Sequence, residues 1–293
     1  MKDIGSFSEL LAVAEKKNQK LSDVFLDVEA FMLDIDIDKL KQKMCIHFTD
    51  MKESIKRGLN STEKSASGLS GDDSVKITNR YANHNNLPFS GLLGKVLSYS
   101  IAVMEENQRM GKIVACPTAG SCGIVPSAII AFGEEYNFSE EKLIDALFIA
   151  AGIGKIIAQS VALAGAVAGC QAECGVGAAM TAGSLAYLMD GSNKMIINAA
   201  ALALKNTLGL VCDPVAGLVE VPCIKRNGFY AIHSITASEL ALAGVESAIP
   251  MDEVVVAMKQ IGRLMSPTLK ESSEGGLAIT ETGNKIRKKL QGE

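Results

Sequence analysis

Tryptophan is missing from this chain, and aromatic residues make up only 5% of it. Proteins that hold single-stranded nucleic acid stack bases on aromatic faces. A formal net charge of -4 also leaves no basic stripe for a phosphate backbone or an anionic membrane. Nucleic acid and membrane surfaces therefore drop out of the expected partners. Histidine is scarce, with His47, His84 and His233 the whole supply, so there are few imidazoles for proton transfer. No repeat, low-complexity tract or clear polar–apolar alternation is present; a strand pair would have to lie in Lys112–Ala115 or Gly217–Val221. The stretch most like a membrane span, Leu143 to Cys170, carries Lys155 and Gln159 near its middle. A charge at bilayer depth is costly, so this stretch reads as a buried helix pair. The opening residues Met1-Lys2-Asp3-Ile4-Gly5-Ser6 lack the basic segment and apolar run of a secretory signal. Seven cysteines, an odd number, in a chain too long to need disulfides point to a reducing compartment, the cytoplasm. There the thiols serve metal binding or packing.

What the chain does have is small and apolar. Of its 293 residues 48% are hydrophobic, mostly Ala, Leu, Ile, Val and Met, and 27 are Gly. Small residues let helix backbones approach closely, so the expected fold is mainly α: a single compact domain of tightly packed, Gly/Ala-rich helices over residues 1–293. Ser6 and Glu9 form a capping-box start for a helix reaching Lys17. Ser22 can cap a second, Asp23 to Met32. Asp36 or Asp38 can begin a third, with Leu40, Met44, Phe48, Met51 and Ile55 at helical spacing and Gly58 as its stop. Residues 1–60 thus form an opening helical layer, 61–270 the core and 271–293 a polar tail. Asn60–Asp73 and Asn79–Pro88 read as polar connectors. Further helices are expected from Ser90 to Met110, from Ser139 onward, from Ser192 or Asn193 to Leu208, from Phe229 to Ala243 and from Asp252 to Met265.

Two turns stand apart. Cys116-Pro117-Thr118-Ala119-Gly120-Ser121-Cys122-Gly123 feeds an apolar helix, and free N–H groups at such a helix start suit an anion or carboxylate. No Gly-Lys-Ser/Thr follows, so it is not a phosphate P-loop, and a plain helix cap explains it about as well. The other turn, Val211 to Asn227, breaks a helical region with Pro214, Pro222, Gly217, Cys212 and Cys223. With Cys170 upstream, the thiols make the pattern C-x41-C-x10-C. A thiolate is the metal ligand, so each candidate needs a reason to lose its proton. Cys45 sits in a periodic helical segment and reads as a small core residue. Spacing leaves open a four-thiolate site built from Cys116, Cys122, Cys170 and Cys174, or convergence of Cys170, Cys212 and Cys223 on one metal.

Three segments, Cys170-Gln171-Ala172-Glu173, Lys205 to Gly217 and Val219 to Asn227, resemble the α chain of bacterial iron–sulfur L-serine dehydratases. Ser70-Gly71-Asp72 and Pro117 to Pro126 are similar to it too, and the likeness covers nearly the whole chain. The resemblance implies a [4Fe-4S] cluster held by Cys170, Cys212 and Cys223 with one iron left open. The family tolerates other small residues where this chain has Cys116, Cys122 and Cys174, so these stay outside the implied ligand set. Family members often carry a β domain with a Ser-Ser-Ser-His-Thr-type motif; this sequence lacks it, so a separate β chain in a hetero-oligomer is implied. Some single-chain members end in a cysteine that caps the fourth iron, whereas this sequence ends Leu290-Gln291-Gly292-Glu293.

The implied reaction removes the Cα proton and β-hydroxyl of L-serine, and the product becomes pyruvate and ammonia. Under this resemblance Thr118, Ala119, Gly120 and Ser121 would grip the substrate carboxylate, and Ser70 with Asp72 the ammonium. Lys205, Asn206, Arg226 and Asn227 flank the ligands and would orient substrate or tune the cluster. The general base is left unassigned, with Lys205, Asn206 and Arg226 as candidates beside the three histidines and a histidine from the β side. The competing expectations are an L-cysteine desulfidase, a pyridoxal-phosphate dehydratase, for which no Schiff-base lysine or phosphate cup is evident, and a zinc-stabilised helical scaffold.

Overall fold

The computed structural model describes residues 3–82 and 87–293; His84 lies outside the described residues. Among them are thirteen α-helices and no strand. The centre is α9 (Val176–Leu188), whose thirteen residues are all buried. A helix that is apolar all round belongs in a core, and this one is built mainly from Gly, Ala, Leu and Met. It packs against α6 (Ile124–Tyr136), α7 (Glu140–Ala158), α10 (Asn193–Lys205) and α11 (Cys223–Leu242). Its polar side chains are satisfied internally: Thr181 donates to Gly177 O at 2.8 Å and Ser184 to Ala146 O of α7 at 2.8 Å. Among the described residues no helix is long and apolar enough to cross a membrane.

The amino-terminal layer comprises α1 (Phe7–Lys17), α2 (Leu21–Leu33) and α3 (Ile37–Leu59). Ser6 caps α1 by accepting from Glu9 N, and Ser139 and Ser192 cap α7 and α10 in the same way. Ser22 does not cap α2. That helix begins at Leu21, whose N–H is taken by Asn193 Oδ1 of α10 at 3.2 Å, and Ser22 is buried within the first turn. Gly58 does not stop α3 either; it lies inside the last turn, where a Cβ would stand 2.2 Å from Ala102 O of α5 (Leu92–Gln108). The backbone approach of α3 and α5 requires glycine there.

A short helix unforeseen from the sequence, α4 (Asp73–Ala82), is started from outside. The buried Glu105 of α5 accepts from Asp73 N at 2.7 Å and from Ser74 Oγ at 2.6 Å. The expected helix from Phe229 starts six residues earlier, at Cys223, so Cys223, Arg226 and Asn227 lie in its first turns. Gly228 lies inside this helix and faces α5, where a Cβ would meet Leu97 Cδ1 at 2.7 Å. Neither Lys112–Ala115 nor Gly217–Val221 forms a strand; the one β-bridge among the described residues joins Cys212 to Lys270. The chain continues through α8 (Gly165–Ala168), α12 (Met251–Leu264) and α13 (Glu281–Gln291).

The α3–α5 contact gives a direct test. Gly58→Ala must push the two helices apart, and overpacking of this kind costs about 1–3 kcal/mol. A urea titration should show the midpoint fall, whereas Gly5→Ala, whose Cβ meets nothing closer than 3.7 Å, should leave it in place.

Candidate metal centre

Four chain segments converge on a cavity of about 310 Å³ lined by Cys170, Glu173, Cys174, Cys212, Cys223 and Glu271, with Thr118, Ala119, Gly120 and Gly165 among the backbone-side walls. Cys170 precedes a π-turn, Gln171–Gly175, that leads into α9. Such insertions recur at functional sites, and here Cys170 and Glu173, three residues apart, face the same way. Gln171, fully buried, ties the turn down: its amide donates to Met258 O at 3.1 Å and its oxygen accepts from Gly209 N at 3.0 Å. Cys212 is fixed through its backbone by residues 269–271, with Cys212 N donating to Leu269 O at 2.9 Å and Glu271 N to Cys212 O at 2.7 Å. Cys223 is the first residue of α11.

The donor atoms of Cys170, Glu173 and Cys212 all lie within 4.8 Å of one another, a possible metal site. Cys223 lines the same cavity outside that tight group. The electrostatics show what such a site lacks. Hydrogen bonds from the Cys174 and Cys212 thiols, aided by the Arg226 guanidinium, hold the Cys170 thiol well below the usual thiol range. That one thiolate holds the others protonated: Cys212 and Cys174 are pushed up by their bonds to Cys170 and by burial, and Cys223 by burial and the Cys170 charge, to about 12. Burial, with the Cys170 charge second, raises the Glu173 carboxyl to about 7. Only a cation among them lets several of these groups ionise together.

Arg226 holds this arrangement from behind. It donates to Cys170 Sγ at 3.6 Å, to Val211 O at 2.9 Å and to Asp213 Oδ1 at 2.8 Å. Asp213 is buried and accepts in turn from Leu277 N at 2.9 Å. Thr118 caps a one-turn 3-10 segment, Ala119–Ser121, and donates to Glu173 Oε1 at 2.8 Å. Asn227 braces that turn against α11, accepting from Gly123 N at 3.0 Å and donating to Gly120 O at 2.8 Å and to Cys223 O at 3.0 Å.

The residues named from the sequence thus separate. Thr118, Ala119 and Gly120 line the cavity, while Ser121 and Asn227 lie behind the turn and shape it. Ser70 is buried and donates to Glu220 at 3.3 Å. Asp72 pairs with Lys64 and Lys76, whose hydrogen bonds hold its carboxyl at about 2; neither residue lines the cavity. Lys205 donates to Ser247 Oγ at 3.1 Å and Asn206 to Leu202 O at 2.8 Å, both at the end of α10. His233 bonds Ala203 O at 2.9 Å, and His47 is exposed on α3. The alternative set of four thiols is not assembled. Cys116 and Cys122 are buried by packing, with Cys122 Sγ 3.6 Å from Met104 Sδ and Cys116 bonded to Val114 O, and desolvation raises both thiols. Sequence reasoning missed Glu173, Asp213 and Glu271. Glu173 had a signal, its spacing of three from Cys170; Glu271, brought in by the bridge at Lys270, had none.

Comparison with known proteins shows the family. The family model described as "Serine dehydratase alpha chain" matches residues 7–278. The chain is 39% identical to the "Probable L-serine dehydratase, alpha chain" of Bacillus subtilis, over 97% of this chain and 94% of that one. It is 38% identical to the "L-serine dehydratase, alpha chain" of Peptoniphilus asaccharolyticus, over 96% of both. The "L-serine dehydratase" of Helicobacter pylori is 35% identical, over 95% of this chain but 62% of its own length. A match across nearly all of the chain places this protein in the serine dehydratase alpha chain family.

Proposed function

We propose that this chain is the catalytic α subunit of an L-serine ammonia-lyase that converts L-serine to pyruvate and ammonia, working with a separate β chain. The observation that carries the reading is the convergence of Cys170, Cys212 and Cys223 on one cavity in a chain of this family. The donor set fits an iron–sulfur cluster: thiolate sulfur is the ligand such clusters use, and the mutual suppression of ionisation among these thiols calls for positive charge between them. Cys170, Cys212 and Cys223 would hold a [4Fe-4S] cluster. When bound, it supplies an electron-pair acceptor for the serine hydroxyl, a poor leaving group on its own.

The chain's own groups do the rest. The Ala119 and Gly120 amides stand at the cavity wall, and they take the substrate carboxylate. The ammonium contact passes from Ser70 and Asp72 to Glu271, which overhangs the cavity. Arg226 steadies the Cys170 sulfur by hydrogen bond and charge and is itself oriented by Asp213; donors of this kind tune a metal centre. None of the described histidines lines the cavity, so the proton acceptor for Cα comes from the cavity wall or from the β chain.

Three outcomes test the reading. The α chain co-produced with its β partner and purified without air should release pyruvate from L-serine faster than hydrogen sulfide from L-cysteine; the reverse order makes it a desulfidase, and zinc without iron and sulfide makes it a scaffold. Cys212→Ser and Cys223→Ser should each lose the brown chromophore and bound iron, while Cys45→Ser on α3 keeps both; a Cys212→Ser protein with full iron content would remove the ligand assignment. Arg226→Gln should move the cluster's reduction potential to more negative values, because a positive charge and a donor to sulfur are gone, and Arg226→Lys should recover part of the shift.

A further inference from the structure

We infer that Glu173 supplies an exchangeable oxygen ligand to the metal centre, closing it in the resting protein and giving way to the substrate hydroxyl. The inference rests on the proposed cluster and concerns the coordination position that three cysteines leave open. Its ground is the placement of the carboxylate. The donor oxygen of Glu173 belongs to the same group, within 4.8 Å, as the Cys170 and Cys212 sulfurs.

The two oxygens of Glu173 have different surroundings. Oε1 accepts from the Thr118 hydroxyl at 2.8 Å, which fixes the plane of the carboxylate. Oε2 faces the thiols, 3.9 Å from Cys170 Sγ. One oxygen held by the protein and the other presented to the metal is how a ligating carboxylate is oriented. The backbone closes around this placement. A Cβ at Gly165 would stand 2.5 Å from Glu173 Oε2 and 3.0 Å from Cys212 Sγ, and one at Gly120 would stand 3.2 Å from Glu173 Oε1. Two glycines from separate segments thus leave room for this one carboxylate beside this one sulfur.

Thiolates bind a soft cluster iron tightly, and a carboxylate oxygen is the weaker partner there. Two carboxylates line the cavity, Glu173 and Glu271, and Glu173 is the one grouped with the cysteine sulfurs, so it is the donor a hydroxyl can replace. In the exchange the bond from iron to the Glu173 oxygen breaks as the bond from iron to the serine oxygen forms. No electron changes hands, and the released carboxylate keeps its charge beside the substrate, its Oε1 still held by Thr118.

The test is spectroscopic and uses the α–β complex purified without air. Mössbauer spectra of wild-type protein grown on enriched iron should show one iron distinct from the other three, shifting when L-serine is added. In Glu173→Gln that iron should differ from wild type before serine is added, and exposure to ferricyanide should convert the cluster to its three-iron form several-fold faster. Glu173→Asp, which keeps the charge on a shorter arm, should fall between the two. Because a variant may fail to load iron, the unmodified protein carries its own check: infrared difference spectra on adding L-serine should show carboxylate stretches moving from the metal-bound to the free pattern. Identical unique-iron spectra in wild type and Glu173→Gln, or no carboxylate change in the wild-type difference spectrum, overturn the inference even if serine is turned over. A wild-type complex without a four-iron cluster overturns the proposed function and this inference together.

Discussion

Three thiols and a carboxylate cannot all carry negative charge in one small buried cavity unless something positive sits among them. That constraint organises the protein. Neighbouring thiol hydrogens and Arg226 favour the charged form of Cys170, while Cys212 is raised by its bond to Cys170, and Cys223 and Glu173 are raised by burial first and the Cys170 charge second. An arrangement of this kind costs free energy when empty and regains it when a cation binds, so affinity for metal and the strain of the site share one origin. The surrounding helices keep the donors from drifting apart to relieve the repulsion.

How they do so is visible in the second layer of contacts. Gln171 fastens the π-turn to α12 and to the loop at Gly209. Asn227 joins the Thr118 turn to the start of α11 with all of its amide atoms. Asp213 links Arg226 to the backbone of Leu277. Each is a buried polar side chain with its hydrogen bonds made, and each joins two segments that are far apart in sequence. Losing one partner of such a pair leaves a buried polar group unsatisfied, at about 1–3 kcal/mol, and releases a wall of the cavity as well.

Much of this was legible in advance, for identifiable reasons. The caps Ser6, Ser139 and Ser192 act on their own helices, so local sequence carries the signal. The close packing follows from the Gly and Ala content, and the thiol set from a resemblance that spans the chain. The misses share a cause. Ser22 gave up its capping role because Asn193, far along the chain, supplies the acceptor. The helix α4 escaped notice because its cap, Glu105, comes from α5. The start of α11 was expected at Phe229 and not Cys223 because the contact that needs Gly228 lies on another helix. Ser70 and Asp72 fit the family pattern, yet their partners are Glu220 in one case and two surface lysines in the other. Local propensity is a weak prior wherever a tertiary partner satisfies the backbone instead.

The least legible part is residues 266–279, and it bears on how the site comes together. Their polarity suggests a solvated end, but they hold Cys212 by two backbone hydrogen bonds, Asp213 by Leu277 N and Pro214 O by the Ser273 hydroxyl at 2.7 Å. Cys212 is therefore positioned by chain more than fifty residues downstream, and closing so long a loop costs entropy that its few contacts must offset. A group bound at the Cys212 sulfur adds to those contacts, because it binds only the arrangement in which residues 269–271 are docked. The docking of this segment and the shape of the site thus go together: the same backbone bonds that present Cys212 bring Glu271 to the cavity.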